Sequence, residues 1–532
     1  MDKRVFYNGD IITMENEGEY TEAVYVEDGI IKKCGSFLEI KEMCDGSTER
    51  IDLEGRTMLP AFIDAHSHFA MVGQQASECD LSDCKSFDDI IATMKRYIED
   101  NKIPEGEMVS GVNYDHNFLQ EGEHPTKDVL DKISVKHMVS VAHTSGHMGS
   151  VNSAVLKKLG LNRDSEFGRG GKYCRYIGSG ELNGHMEENA FMSVRQLKRQ
   201  PSYEEMKAFI LKGQKEYLKN GITTVQNGGG VPEHTEILTD LAEDNEYTLD
   251  IVNYMMIGNT TPEQMKAYGK FLGKYYNRFK VGGYKMFLDG SPQGRTAWLS
   301  KPYEGETEYR GYPVLKDEEV YEYSRRAIEE GRQLLTHCNG DEASEQLIRE
   351  YTRALRDAGD NRNLRPVMIH AQTVRKDQLK KMKEIGMIPS IFIAHTYYWG
   401  DIHIKNLGKI RGENISPART ALDMGHIINF HQDSPVIKPN MLETVWCAVN
   451  RISRNGSIIG AQERISVYEA LRAVTFGGAY EYFEEDTKGT IREGKKADFT
   501  VLSMNPLKTD KSAIRDIEVI AVYKEGNMVY RI

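Results

Sequence analysis

Cysteine is scarce: seven in 532 residues, an odd number, and none in a C-x-x-C pair. The closest two, Cys79 and Cys84, flank "DLSD". The plain reading is reduced thiols in a cytoplasm. Long apolar runs are absent too; nothing approaches the roughly 18 residues a membrane helix needs. The opening "MDKRVFYNGDIITMENEGEY" has no apolar stretch of the kind a secretory signal carries, which again points to the cytoplasm. Nor is there a long block of Lys and Arg, and the net charge is −12. That combination argues against nucleic acid as the main partner and against an anionic membrane surface. No low-complexity segment and no fixed-period repeat occurs.

What is present is ordinary. With 39% hydrophobic and 28% charged residues the chain has a soluble globular balance, and 532 residues call for two or three domains. The first segment alternates like strands, in "VFYNGDIITM", "AVYVEDGIIKKCG" and "ERIDLEGRTMLP". The last does the same, in "ADFTVLSMNP" and "IEVIAVYKEGNMVYRI". Each end has too few strands to close a core alone. Pairing residues 1–58 with 485–532 into one small composite β-sandwich domain would solve that.

Between the ends, helical patterns alternate with short apolar strands. Strand-like runs are "MLPAFIDAHSH", "GITTVQN", "YTLDIVNYMM", "GGYKMFLDG", "QLLTHC", "RPVMIHA", "GMIPSIFIAH" and "HIINFHQD". Eight such alternations predict an α/β fold, a (β/α)8 TIM barrel over 59–76 plus 203–484. Residues 77–202, rich in Gly, His, Asn and charge, read as a subdomain inserted after the first strand, a lid or substrate subdomain.

Active sites of such barrels lie at the C-terminal ends of the strands. The first strand ends in His66 and His68, the fifth in His337, the sixth in His370, the seventh in His395, and the eighth in His431 and Asp433. His66 and His68 are two apart, so they point to the same side and can converge on one ion. Imidazole with carboxylate suits zinc, and also iron, nickel or manganese. Lys285 sits inside the fourth strand, in "VGGYKMFLDGS", where an unpaired ammonium is out of place. Spacing leaves three readings of it: a head that snorkels to water, a partner for Asp289, or an amine that adds carbon dioxide to become a bridging carbamate.

At this point the chain resembles the amidohydrolase superfamily. "FIDAHSHF" is similar to its H-x-H signature, and "KGTIREGKKADFTVL" to its C-terminal segment. More narrowly it resembles the N-substituted formamide deformylase-like (amidohydrolase-3) branch, in "YKMFLDGSPQGRTAWLSKPY", "THCNGDEA", "QDSPV", "PTKDVLDKIS" and "SGHMGSVNSAVLKKLGL". The resemblance implies a binuclear centre of two divalent ions, zinc foremost. His66, His68 and Asp433 would hold one ion and His337 with His370 the other, bridged by N-carboxylated Lys285. Two motifs depart from the branch. Gln432, preceded by His431, stands where a small residue or Ser is usual, and "IFIAHTYYWGD" replaces the usual surroundings of the strand-seven His.

The expected activity is hydrolysis of a non-peptide carbon–nitrogen bond, an amide or N-formyl or N-acyl group, in a small-molecule substrate. Asp433 would act as base and then acid, and His395 would either donate to the developing oxyanion or serve structure. His147, Asp289, Arg295, Tyr397 and Trp399 are candidates for lining the substrate pocket. A heterocycle deaminase or lactonase on the same site is the rival, and a non-catalytic binder the remote one. A homo-oligomer such as a dimer is compatible with all of these.

Overall fold

The computed structural model describes all residues except 1, 76, 117, 145–147, 168–170, 195, 196, 198–200, 360 and 361. The chain forms two compact units, residues 1–71 with 214–532, and residues 72–213. No helix among the described residues is long and apolar enough to cross a membrane.

In the first unit, eight strands form a parallel sheet: Phe62–Asp64 (β1), Ile222–Gly230 (β2), Asp250–Met256 (β3), Phe279–Phe287 (β4), Gln333–Cys338 (β5), Val367–His370 (β6), Ile388–Ile391 (β7) and Asn429–Phe430 (β8). They pair strictly in chain order from β1 to β8. All eight apolar runs read from the sequence are strands. They are short and buried on both faces, as β6 and β7 are at every position, which is why they read as apolar runs without alternation. The helix Asp341–Ala358 covers the sheet with Ala343, Leu347, Tyr351 and Ala354, one buried stripe at helical spacing. It ends at Gly359, whose φ of 59° a glycine adopts without strain.

The sheet is nearly closed. No ladder joins β8 to β1, but the segments that follow them do meet. Asp433 donates its N–H to the His66 carbonyl at 3.1 Å, and His68 donates to the Ser434 carbonyl at 2.8 Å. The same residues that close the barrel are the metal-ligand candidates.

Both chain ends contribute to a second sheet. Its order is 527–531, 519–524, 499–502, 57–60, 3–12, 20–27 and 30–35, with 49–52 also paired to 3–12. The two ends join where Thr57–Pro60 runs antiparallel to Phe499–Leu502. The eight strands are joined by successive ladders into one sheet. Its core places the Phe6 ring edge-on to Phe499 and Tyr523, at 5.1 and 4.9 Å.

Buried charges link this sheet to the barrel. Asp250, the first residue of β3, lies 2.5 Å from Lys488 Nζ and 2.7 Å from Lys524 Nζ, and all three are almost wholly buried. Glu484 takes Lys280 and Lys488, and Asp498 takes Lys524. Asp250→Ala strands two ammonium groups without their shared anion. It is expected to cost about 3–5 kcal/mol of stability. Urea denaturation measures this, and a loss under about 1 kcal/mol would mean that Glu484 and Asp498 suffice.

The second unit is built on a six-stranded mixed sheet, ordered 171–175, 182–188, 148–151, 138–143, 108–114 and 79–80. Val139 and Val141 pack into one apolar cluster while Met138 and Ala142 pack into another, so alternation along one strand fills both faces.

Candidate metal centre

His66 and His68 lie just past β1, and Asp433 just past β8. The Nε2 atoms of both imidazoles are 3.2 Å from Asp433 Oδ1. The far nitrogen of each ring is already engaged. His68 Nδ1 lies 2.7 Å from the Gly228 carbonyl, which can only accept, so Nδ1 carries the proton. His66 Nδ1 faces Gln226 Oε1. The Gln226 amide nitrogen points toward the Ala65 carbonyl, Glu481 and Tyr482, so its oxygen is the atom turned to His66. Both Nε2 atoms therefore present lone pairs, and they present them to an ionised carboxylate oxygen that is buried and has no hydrogen-bond partner. Three acceptors meet at this distance with no proton among them; Lys285 Nζ, 3.2 Å from His66 Nε2, can serve one of them, and a cation between would serve all three. Ligands of one ion at about 2.0–2.1 Å lie roughly 3.3 Å apart, so the donor set fits a metal.

The electrostatics agree. Burial, and then the charge of Lys285, push His66 down to about 4. Asp433 has a φ of 53° and His370 of 73°, both in the left-handed region. Non-glycine residues held there cluster at functional sites.

Lys285 is fully buried, with Nζ 3.2 Å from His66 Nε2. Tyr284, the next residue back, points the other way and hydrogen-bonds Glu330 on the barrel exterior at 2.7 Å. The alternation of β4 thus aims Lys285 inward. Among the described residues no carboxylate lies within ion-pair distance of Lys285. It neither snorkels nor pairs with Asp289. Burial lowers its pKa to about 8 against the pull of Asp433.

His337 and His370 meet with Nδ1 and Nε2 2.9 Å apart. A single proton between these nitrogens satisfies both, so this pair does not demand a cation as the trio does. His370 Nδ1 continues to His431 Nε2 at 3.1 Å, and His431 Nδ1 to Ser390 Oγ at 2.9 Å. Burial and the neighbouring charges, Lys285 for His337 and other histidines for His370, keep these imidazoles neutral.

His395 lies four residues beyond β7, at the start of the helical turn His395–Tyr398. Its Nδ1 is 3.0 Å from His403 Nε2, and its ring packs 4.6 Å from Trp399 and 4.6 Å from Phe392. Phe392 in turn lies 5.3 Å from His431, so Trp399 and His395 join the imidazole cluster through one ring.

Three of the pocket candidates have protein partners of their own, and Asp289 Oδ1 also lies 3.6 Å from His337 Nε2. The Asp289 carboxylate has no exposed surface and accepts N–H groups from Trp298, Asn339 and Gly340, which pins the loop after β4 to the loop after β5. Arg295 reaches Glu306 and the Glu304 carbonyl. Tyr397 packs against Tyr398 and Trp446, with Arg454 and Arg515 over its ring. His147 lies outside the described residues.

Sequence reasoning missed Gln226 and left His431 without a role. The available signal was an amide on β2, on the same face as Thr224 and Gly228, in a strand otherwise apolar or β-branched. Gln226→Ala removes the acceptor that sets the His66 tautomer. Metal affinity is expected to fall roughly 10–100-fold without loss of fold, measured by competition with a chelator; unchanged affinity would refute the orienting role.

Comparison with known proteins places the chain in a family. The model of the Amidohydrolase family (Amidohydro_3) matches residues 49–530. The Bacillus subtilis (strain 168) protein YtcJ is 28% identical over 540 residues, covering 99% of each chain. The N-substituted formamide deformylase of Arthrobacter pascens is 23% identical over 544 residues, covering 98% of this chain and 97% of that one. An uncharacterised metal-dependent hydrolase of Pyrococcus horikoshii OT3 superposes with a TM-score of 0.75 at 24% identity, covering 96% of this chain and 99% of that chain. The family match spans the barrel and every residue of the converging trio, and the chain belongs to the amidohydrolase family.

Proposed function

We propose that the protein hydrolyses a non-peptide carbon–nitrogen bond, removing a formyl or larger acyl group from nitrogen in a small molecule. The observation that carries this reading is the convergence of His66 Nε2, His68 Nε2 and Asp433 Oδ1 as three acceptors around one point. The relative named as a deformylase of N-substituted formamides supports the choice of bond. His66, His68 and Asp433 would hold one divalent ion, zinc foremost, with iron, manganese or nickel suited to the same donors. His337 and His370 would hold a second. Lys285 would bridge them as a carbamate: the neutral Nζ bonds to the carbon of CO2 and releases one proton to solvent.

When bound, the metal lowers the pKa of water and polarises the substrate carbonyl. The protein's own groups do the rest. Asp433 takes the proton of the attacking water and returns it to the leaving nitrogen. His395 donates to the carbonyl oxygen as negative charge develops. A proton on His403 Nε2, given to His395 Nδ1, leaves the His395 proton on Nε2, the form that donates.

The test is a screen of N-formyl, N-acyl and cyclic amides with zinc-loaded protein. Turnover that chelation abolishes is the expected result. Deamination of a heterocycle or lactone opening, with about one metal per chain and unmodified Lys285, would overturn the amide reading. The hydrogen-bonded state available to His337 and His370 is what that rival would use.

A further inference from the structure

The unit of residues 72–213 holds imidazoles that the barrel chemistry does not use. Asp115 and His116 follow the strand Met108–Tyr114, and His143 ends the strand Met138–His143. These strands are parallel neighbours with Tyr114 opposite His143. Strand pairing thus brings together groups 27 residues apart. His116 Nδ1 lies 3.2 Å from His143 Nε2. Asp115 Oδ1 lies 3.5 Å from His143 Nε2 and 3.9 Å from His116 Nδ1. These separations bracket the roughly 3.3 Å expected between donors of one four-coordinate ion.

The ring of His116 is also held by its neighbours. His124 stacks between His116 and His185, with 4.0 Å between ring centroids on each side. Tyr114 OH holds His124 Nδ1 at 2.9 Å, and Ser150 Oγ holds His185 Nδ1 at 3.2 Å, so the ring stack that packs against His116 is itself fixed in place. The donors are also reachable. The side chains of Asp115, His116 and His143 keep 16%, 28% and 9% of their surface exposed.

A neighbouring trio, Cys174, His185 and Glu187, is the poorer binder. Burial and Glu187 hold the Cys174 thiol up at about 11, whereas the thiolate is the ligand, and Glu187 is engaged by Lys172.

We propose that Asp115, His116 and His143 bind one divalent transition-metal ion, zinc foremost, with the fourth position left to water or a ligand carboxylate. The ion ties the loop after one strand to the end of its neighbour. It is held only by residues of this unit, so it stands or falls apart from the barrel centre.

The test counts zinc per full-length chain by mass spectrometry after gel filtration. His116→Ala/His143→Ala is expected to lose one zinc per chain, while His66→Ala/His68→Ala keeps it. Cobalt(II) gives a second readout. The absorption of a four-coordinate ion should persist in the His66/His68 variant and lose the intensity of one ion per chain when His116 and His143 are also replaced. Should the double variant fail to fold by circular dichroism, Asp115→Asn is measured instead, with an expected loss of roughly tenfold or more in zinc affinity by chelator competition. Zinc content and cobalt spectrum indifferent to His116 and His143, or affinity indifferent to Asp115, overturns the proposal.

Discussion

Replacing Asp433 by asparagine is expected to leave metal largely bound and to lower turnover by roughly 10²- to 10⁴-fold. His66 and His68 keep their lone pairs in the variant, because Gln226 and Gly228 still occupy their far nitrogens. An amide oxygen can still face the ion, but it cannot take a proton from water. Metal content by mass spectrometry and kcat against a hydrolysed N-acyl substrate separate the two effects. Activity near wild type would rule out the proton-shuttle role. Loss of metal in parallel with activity would make Asp433 a ligand first, with its part in proton transfer undefined.

Lys285→Ala is expected to lose metal and activity together. The lysine is fully buried, its head lies 3.2 Å from His66, and no carboxylate among the described residues pairs with it. A plain ammonium here would work against a bound cation. As a carbamate the same side chain is an anion with two oxygens, and removing it deletes a ligand as well as leaving a void. A lost metal forfeits several kcal/mol of transition-state stabilisation, a factor of roughly 10³ or more in rate. Short carboxylic acids added to the variant should restore part of both metal content and turnover, because they supply the missing oxygens. Full metal and full activity in Lys285→Ala would mean that the amine is only a packed strand residue.

Much of this site was legible before any coordinates. His66, His68, His337, His370 and Asp433 all stand at or just past strand ends, and the eight apolar runs that carry them are all strands of the barrel. Strand existence depends on local apolar runs and turn residues, which are properties of neighbouring positions. The inward aim of Lys285 follows from the same period of two.

The pocket candidates fared differently. Asp289, Arg295 and Tyr397 stood out because they lie near the site along the chain. In the fold they are taken up by the backbone N–H groups of Trp298, Asn339 and Gly340, by Glu306, and by Trp446. No local pattern announces such partners.

By itself the sequence determined the alternation of strand and helix and the strand ends that carry histidine, because backbone stereochemistry acts between near neighbours. Only the tertiary structure decided which nitrogen of each imidazole is free. His66 owes its tautomer to Gln226 and His68 to Gly228, each 160 residues away, and Asp433 reaches both through the seam that closes β8 on β1. A proton's position on an imidazole is set by whatever accepts it across space, and that partner exists only once the barrel has closed.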